Sequence, residues 1–433
     1  MYGVVVSAAD EASRHVGRRL LEVGDWDGDD LPDPGDGARR TDGFELRTVA
    51  ERHLDTDGVA ARFDDPDGVV FVSRHAGETG PLLTAHFTGN LGPADHGGSP
   101  GSLAAAAPAA ADRVLDSLRE HAPDGYDVSL ECTHHGPSDV GAPSLFVEVG
   151  SDEAQWADPE AARAAARAVL SLRGVDPVGD RTVVAFGGGH YAPRATRVAR
   201  ETDWAVGHVA ADWGLEALGD PGEHRDLVRA VFRESDAERA VVDGDHPALR
   251  RVVEDLGYGL VSERWLHETT GVPADLAAAL EADLSPVEDG LRFGDRPVSD
   301  YSVVDLPDEL LAAADRVDRE ATRAAADATL VAYETAEGGS LVAGRGAVPS
   351  GTGLDGLVAD LAAVLEAGYA SVRVADDAVV VTERAFDPAA ARARGVPEGP
   401  AFGRLAEGEP VEVDGTIVEP EAVHAETTRR FPR

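Results

Sequence analysis

Short apolar runs recur through the first two thirds of the chain, separated by stretches whose apolar residues return every three or four positions. Continuous or alternating apolar runs mark strands, and a period near 3.6 marks helices. The pattern predicts strands at Tyr2–Ser7, Gly68–Ser73, Pro81–His86, Tyr126–Cys132, Ser144–Val149, Arg181–Phe186, Trp204–Val209 and Arg239–Asp243. The clearest helix takes Asp158 as its cap and Pro159 as its first residue, runs from Ala161 to Leu172 and stops at Gly174. Others are expected near Ala110–Glu120, Arg194–Glu201, Arg225–Glu234 and His246–Leu256. Alternation of this kind predicts an α/β fold, a mixed and mostly parallel sheet flanked by helices.

Polar and glycine-rich stretches punctuate this pattern. Asp25–Asp42 reads as an acidic surface loop or insertion and Gly92–Gly101 as a second loop. A boundary near Gly271 separates residues 1–270, expected to be the catalytic domain, from a smaller α+β module, 271–433. The module is expected to hold helices at Asp308–Ala326 and Leu354–Ala367. A hairpin of Ser371–Val374 with Ala378–Val381 should follow, then a Pro/Gly-rich tail.

Composition changes the picture in one respect. Eighty Asp and Glu face 39 basic residues for a formal net charge of -41, and every basic residue is Arg. At low ionic strength such charge strains a folded chain, whereas in molar salt the Debye length falls to about 3 Å. The acidity therefore reads as a solvated surface suited to a salt-rich cytoplasm rather than as a binding feature. A single cysteine excludes an intrachain disulfide. No apolar run approaches the ~20 residues that span a bilayer. The expectation is a cytoplasmic monomer without a membrane partner.

Histidine carries the candidate chemistry, and 13 of the 14 precede Gly271. Imidazole is the commonest metal ligand and titrates near neutrality. Ligands of open α/β sheets bind at the carboxyl ends of strands. Five strand ends offer histidine: His75, His86, the pair His134 and His135, His190 and His208. Any one of them alone reads as a hydrogen-bonded structural residue; together they read as a metal site. His134 and His135 need a loop conformation, helped by Gly136-Pro137, to face one site. Glu131 and Glu148 sit where they can complete a coordination sphere or orient an imidazole. Gly187, Gly188 and Gly189 can bring backbone N–H groups to an anion or oxyanion, with Arg194 opening the next helix. Arg74 offers a guanidinium beside His75. The glycines lack the spacing of a dinucleotide or nucleotide-triphosphate loop.

Phe71-Val-Ser-Arg-His75, Leu83-Thr-Ala-His86-Phe-Thr-Gly-Asn90, Glu131-Cys-Thr-His-His-Gly-Pro137, Phe146-Val-Glu-Val-Gly-Ser151, Gly187-Gly-Gly-His-Tyr-Ala-Pro193 and Gly207-His208 occur in this order. In this the chain resembles archaeal-type D-aminoacyl-tRNA deacylases across residues 1–270. The resemblance implies a zinc-dependent hydrolase on a core related to phosphorylase and peptidyl-tRNA hydrolase folds. Its partner would be D-aminoacyl-tRNA, bound at the acceptor end, and its reaction would release the D-amino acid from the terminal ribose. Within that role, His134, His135, His190 and Glu148 are the expected catalytic residues, and His75, His86, His134, His135, His190 and His208 the expected zinc ligands. Arg74, Gly187, Gly188, Gly189 and Arg194 are expected to hold substrate or oxyanion. After Gly207-His208 the chain departs from the family, with Val209-Ala-Ala-Asp212-Trp213 where Pro-Lys-Tyr is usual. The tail Gly395–Glu409 resembles a short element of tRNA 3′-processing metallohydrolases.

Two other readings stand beside this one. A metallohydrolase or phosphorylase-like enzyme acting on a small nucleoside or peptide would use the same histidines. A non-catalytic RNA-binding protein would keep them for structure.

The charge generates its own test. Transfer from molar KCl to about 0.1 M, where the Debye length grows to ~10 Å, should lower the melting temperature followed by circular dichroism. Identical melts in the two salts would show that the acidic surface is indifferent to screening.

Overall fold

In the computed structural model, which describes residues 1–433, the apolar run Tyr2–Ser7 forms β1, buried along its whole length. It lies within a seven-stranded sheet of order β2-β3-β1-β4-β9-β5-β8. The other members are β2 (Arg39–Thr41), β3 (Phe44–Val49), β4 (Gly68–Arg74), β5 (Leu82–His86), β8 (Asp127–Leu130) and β9 (Ser144–Gly150). A short ladder of β6 (Gly89–Asn90) with β7 (Ser102–Leu103) ties the loop beyond β5. Strands β3, β1, β4 and β9 run parallel. Strand β5 pairs antiparallel with β9, and β8 runs parallel to β5, so direction reverses between β9 and β5.

The register puts Val5, Phe71, Phe146 and His86 in one row on one face, with Ser73 and Glu148 two residues further along. Helices α1 (Glu11–Val23), α2 (Pro108–His121) and α4 (Pro159–Leu170), the last preceded by the short α3 (Glu153–Trp156), pack against the opposite face. There α1 lays Gly17 so close to Val6 that a Cβ would lie 2.9 Å from a valine methyl. Caps define the starts, with Asp10 accepting from Ser13 N–H and Asp158 from the N–H of Glu160. The row of Val5, Phe71 and Phe146 is covered instead by loop residues Val59, Phe63 and Val140. A sheet face roofed by loops can admit a ligand.

A second sheet, order β11-β10-β12-β13, is wholly parallel: β10 (Thr182–Phe186), β11 (Ala205–Ala210), β12 (Arg239–Val242) and β13 (Gly259–Leu260). Its helices are α5 (Pro193–Glu201), α6 (Asp212–Leu218), α7 (Arg225–Arg233), α8 (Pro247–Asp255) and α9 (Glu263–Glu268). Two backbone hydrogen bonds dock it beside β8: Cys132 N–H donates to the His190 carbonyl at 2.8 Å and Thr133 N–H to that of Val209 at 2.8 Å.

All eight expected strands form within two residues of their expected ends, and the expected helices of this region form too. The Asp158-capped helix ends at Leu170, four residues short of Gly174. Several features differ, among them the unexpected short helices α3, α6 and α9. Helix α1 follows Asp10, and Phe44–Val49 is a strand paired with β1, where no element was expected. Residues 39–41 of the expected acidic loop form β2. Within β3, Glu45 is fully buried, bonded by Arg40 and Arg47.

The chain divides into two units, Met1–Thr270 and Gly271–Arg433. The second has an antiparallel four-stranded sheet and a three-stranded sheet of Ser371–Val374, Ala378–Phe386 and His424–Pro432. Its expected helix Asp308–Ala326 is instead two, Asp308–Val317 and Arg319–Thr329, broken where Asp318 caps the second. The tail is also ordered, with helices Pro388–Ala393 and Pro400–Ala406 and a hairpin about Asp414-Gly415 enclosing a small core that includes Val396, Leu405 and Val423. No helix is long and apolar enough to cross a membrane.

Candidate metal centre

The site grows from the reversal of strand direction. Strand β9 presents Glu148 and its antiparallel neighbour β5 ends in His86, paired with Phe146 on the same face. Beyond β8 the chain places Glu131, Cys132, His134 and His135 over that face, while His75 enters from the end of β4 and His190 from the loop after β10. His86 ends its strand as expected, but that strand runs against β9, so the cluster lies over the sheet face rather than in a crevice between parallel strands.

Adjacent side chains of a strand point to opposite faces. His135 resolves this by taking a left-handed backbone, φ 47°, uncommon for a residue other than glycine. Both rings then reach the cluster: the centroids of His86 and His134 lie 4.4 Å apart, those of His134 and His135 4.4 Å, and those of His86 and His135 4.9 Å.

The nitrogens show what these rings are set up to do. Nδ1 of His134 meets the carbonyl of Cys132 at 2.8 Å, Nδ1 of His135 that of Gly136 at 2.7 Å, and Nδ1 of His86 that of Phe87 at 3.1 Å. A carbonyl accepts only from N–H, so each ring carries a proton on Nδ1 and has Nε2 free to face the cluster. Nε2 of His86 is buried without a hydrogen bond. Donor atoms of His86, His134 and His135 lie within 4.8 Å of one another. Three imidazoles so grouped, each oriented by a backbone carbonyl, fit a divalent cation that favours nitrogen ligands. The same spacing recurs in Cys132, His134 and His190, and in His75, Glu131 and Glu148.

Charge is sharply divided within this small volume. Burial, with His86 and His135 as neighbours, holds His134 well below the usual imidazole range, and burial beside His86 takes His135 down to about 4. Burial by itself would raise Glu148, but the imidazoles of His75 at 3.7 Å and His86 at 3.6 Å hold it at about 2. Glu131 is likewise kept ionised, with His190 Nε2 at 2.8 Å and His75 Nδ1 at 3.2 Å. His75 is buried, yet Glu131 and Glu148 lift it to about 10; Cys132 and then Glu131 lift His190 to about 10. Burial opposes a proton on His86, but Glu148 and Glu131 favour one. A cation at the cluster would take that proton's place.

A cavity of about 640 Å³ opens onto His75, His134, His135, Glu148 and His190, with Asp10, Arg74 and Trp213 elsewhere on its wall. That volume suits a small-molecule end rather than a folded partner.

Comparison with known proteins bears on what that end is. Residues 62–261 match the family model described as D-aminoacyl-tRNA deacylase. A D-aminoacyl-tRNA deacylase from Natronomonas pharaonis is 53% identical, covering 100% of both chains. Another, from Halorubrum lacusprofundi, is 50% identical and covers 100% of this chain and 97% of its own. The chain belongs to the D-aminoacyl-tRNA deacylase family. A crystal structure of a conserved protein of unknown function is 30% identical with a TM-score of 0.56, covering 62% of this chain and 98% of its own.

Of the expected site residues of this deacylase-family chain, His75, His86, His134, His135, His190 and Glu148 come together, and Arg74 lines the cavity with its guanidinium 5.1 Å over the Trp156 ring. Others do not. His208 is buried outside the cluster, Nδ1 bonded to Thr133 Oγ1 at 2.8 Å and Nε2 to the Ala104 carbonyl at 2.9 Å, so neither nitrogen is left for a metal. Gly187 and Gly188 face a separate small cleft against Asp243, and Gly189 is likewise absent from the wall of the main cavity. The Gly187 N–H already donates to Ala210, and a Cβ there would lie 2.0 Å from the Asp243 carbonyl; that close approach is what the glycine serves. Arg194 sits in the same cleft, paired with Asp243 at 3.4 Å and Glu263 at 3.6 Å.

Two contributors had little signal in sequence. Cys132 reaches His190 Nδ1 at 3.5 Å, although strand alternation gave no reason to expect it at the cluster. Tyr191 places its hydroxyl 3.3 Å from His75 Nε2, and only its place beside His190 marked it.

His208 also supplies a pH test free of any metal. Burial takes its pKa from an ordinary 6.5 to about 4. The folded value is the lower one, so the unfolded state binds the extra proton between those pH values and stability falls on acidification from 6.5 to 4. The loss should be on the order of 3 kcal/mol. His208→Gln, which cannot take the proton, should flatten the acid-side slope of melting temperature against pH; an unaltered slope would assign it to other groups.

Proposed function

We propose that this chain hydrolyses the ester joining a D-amino acid to the 3′-terminal ribose of tRNA, with a zinc ion held by His86, His134 and His135. The observation carrying the reading is the set of three imidazoles oriented by backbone carbonyls, with His134 and His135 on the wall of a cavity and His86 buried beside them, in a chain of this family. Bound zinc supplies Lewis acidity that activates water at neutral pH and polarises an ester carbonyl.

The chain's own residues do the rest. Glu148 stays ionised and lines the cavity, so it accepts a hydrogen bond from the attacking water and orients it. His75 carries a proton up to about pH 10, fixed by Glu131 on one side and Tyr191 on the other. That proton is available to the departing ribose oxygen, a leaving group that needs less acid assistance than an amide nitrogen. His190 balances Glu131 from the opposite side. Arg74, at the exposed side of the cavity, offers charge to the acceptor-end phosphates. The reading implies a protein working beside tRNA in the cytoplasm.

Deacylation of D-tyrosyl-tRNA and L-tyrosyl-tRNA in molar KCl tests it, each with and without a chelator. Turnover should favour the D-ester and vanish on chelation. His134→Ala and His135→Ala should each cost at least about tenfold, whereas His224→Ala, at the exposed start of α7, should match the parent. Equal turnover of both esters, or full activity in both histidine variants, would overturn the assignment.

A further inference from the structure

The cavity holds one aromatic side chain that the hydrolytic machinery does not use. Trp213, second residue of α6, is 49% exposed, although large aromatics are usually well buried and this chain is only 5% aromatic. It lines the same cavity as His134, His135 and Glu148. Its placement is not the accident of a loose loop. Leu218 of α6 is buried in a core with Leu91, and Gly214 sits so close to Leu91 that a Cβ would lie 3.1 Å from that side chain. At the start of α6, Asp212 meets His246 at 3.1 Å. The helix is fixed at both ends while the indole faces the cavity and solvent.

We propose that Trp213 is the stacking platform for the terminal adenine of the tRNA acceptor end, a positioning residue that sets the ester against the histidine cluster. This rests on the ester-hydrolase reading: once the aminoacyl carbonyl is at the cluster, the adenine on the same ribose falls at the cavity wall. Single-stranded RNA ends are recognised largely by stacking of unpaired bases on aromatic rings. The environment strengthens the case. Phosphate contacts lose affinity steeply in high salt, and a chain of net charge -41 has little long-range attraction for RNA, so a neutral stacking surface is the contact least weakened by salt.

Trp213→Ala and Trp213→Phe test this in molar KCl with two substrates, D-tyrosyl-tRNA and the ethyl ester of D-tyrosine, which has no base. Trp213→Ala should raise KM for D-tyrosyl-tRNA about 10- to 100-fold, with the loss carried in KM rather than kcat, and Trp213→Phe should recover most of it. The ethyl ester should lose at least about tenfold less. In the parent, uncharged tRNA should quench tryptophan fluorescence, and both removal of its terminal adenosine and Trp213→Phe should abolish that quench. Equal losses on both substrates, or a quench indifferent to the terminal adenosine, would overturn the proposal. If the parent fails to cleave D-tyrosyl-tRNA, the hydrolase reading fails, and the quench still decides whether Trp213 stacks the base.

Discussion

Two carboxylates buried beside five imidazoles set the terms for the rest of this structure. Glu131 and Glu148 are almost wholly removed from solvent, a state that costs several kcal/mol per charge unless each is closely paired. Pairing comes from His75, His86 and His190, which arrive on three different segments. Those segments can meet only because β5 and β8 reverse direction beside β9, carrying His86 and Glu131 onto the face that bears Glu148. The second sheet then docks through the backbone of Cys132 and Thr133, which delivers His190. The cluster and the topology require each other.

Most of this architecture was legible where its cause is local. Apolar runs and caps located the strands and the Asp158-capped helix, and imidazoles near the ends of those runs located five of the cluster's residues. Strand direction was not legible, because pairing is settled by residues far apart in sequence; the expected parallel crevice gave way to an antiparallel junction. Phe44–Val49 does not declare itself in sequence, because Glu45 and Arg47 have the character of surface residues and only the fold closes Arg40 over Glu45. Glu131 is one acid among 80, and only its place beside the histidine pair sets it apart in sequence. His208 and Gly187 show the converse limit. A histidine bonded at both nitrogens and a glycine pressed against a carbonyl look, in sequence, like a ligand and an oxyanion loop.

The acidic surface and the buried centre respond differently to salt. Exposed pairs such as Arg229 with Asp226 are worth little and are screened further in concentrated salt. The ion pairs of the cluster are shielded from solvent and screened far less. A site whose charges are all internal therefore keeps its electrostatics in a medium that erases them elsewhere. Arginine suits such a surface because its planar guanidinium is less strongly hydrated than an ammonium and binds carboxylates in a forked geometry, as Arg319 does with Asp315.

The central claim is that His86, His134 and His135 hold a zinc ion required for D-aminoacyl-tRNA hydrolysis. Anomalous diffraction from crystals of the active protein, recorded on both sides of the zinc absorption edge, tests it most directly. The account predicts an anomalous peak bounded by the Nε2 atoms of those three histidines, present only above the edge. Crystals of fully active protein with no such peak at the cluster would contradict it.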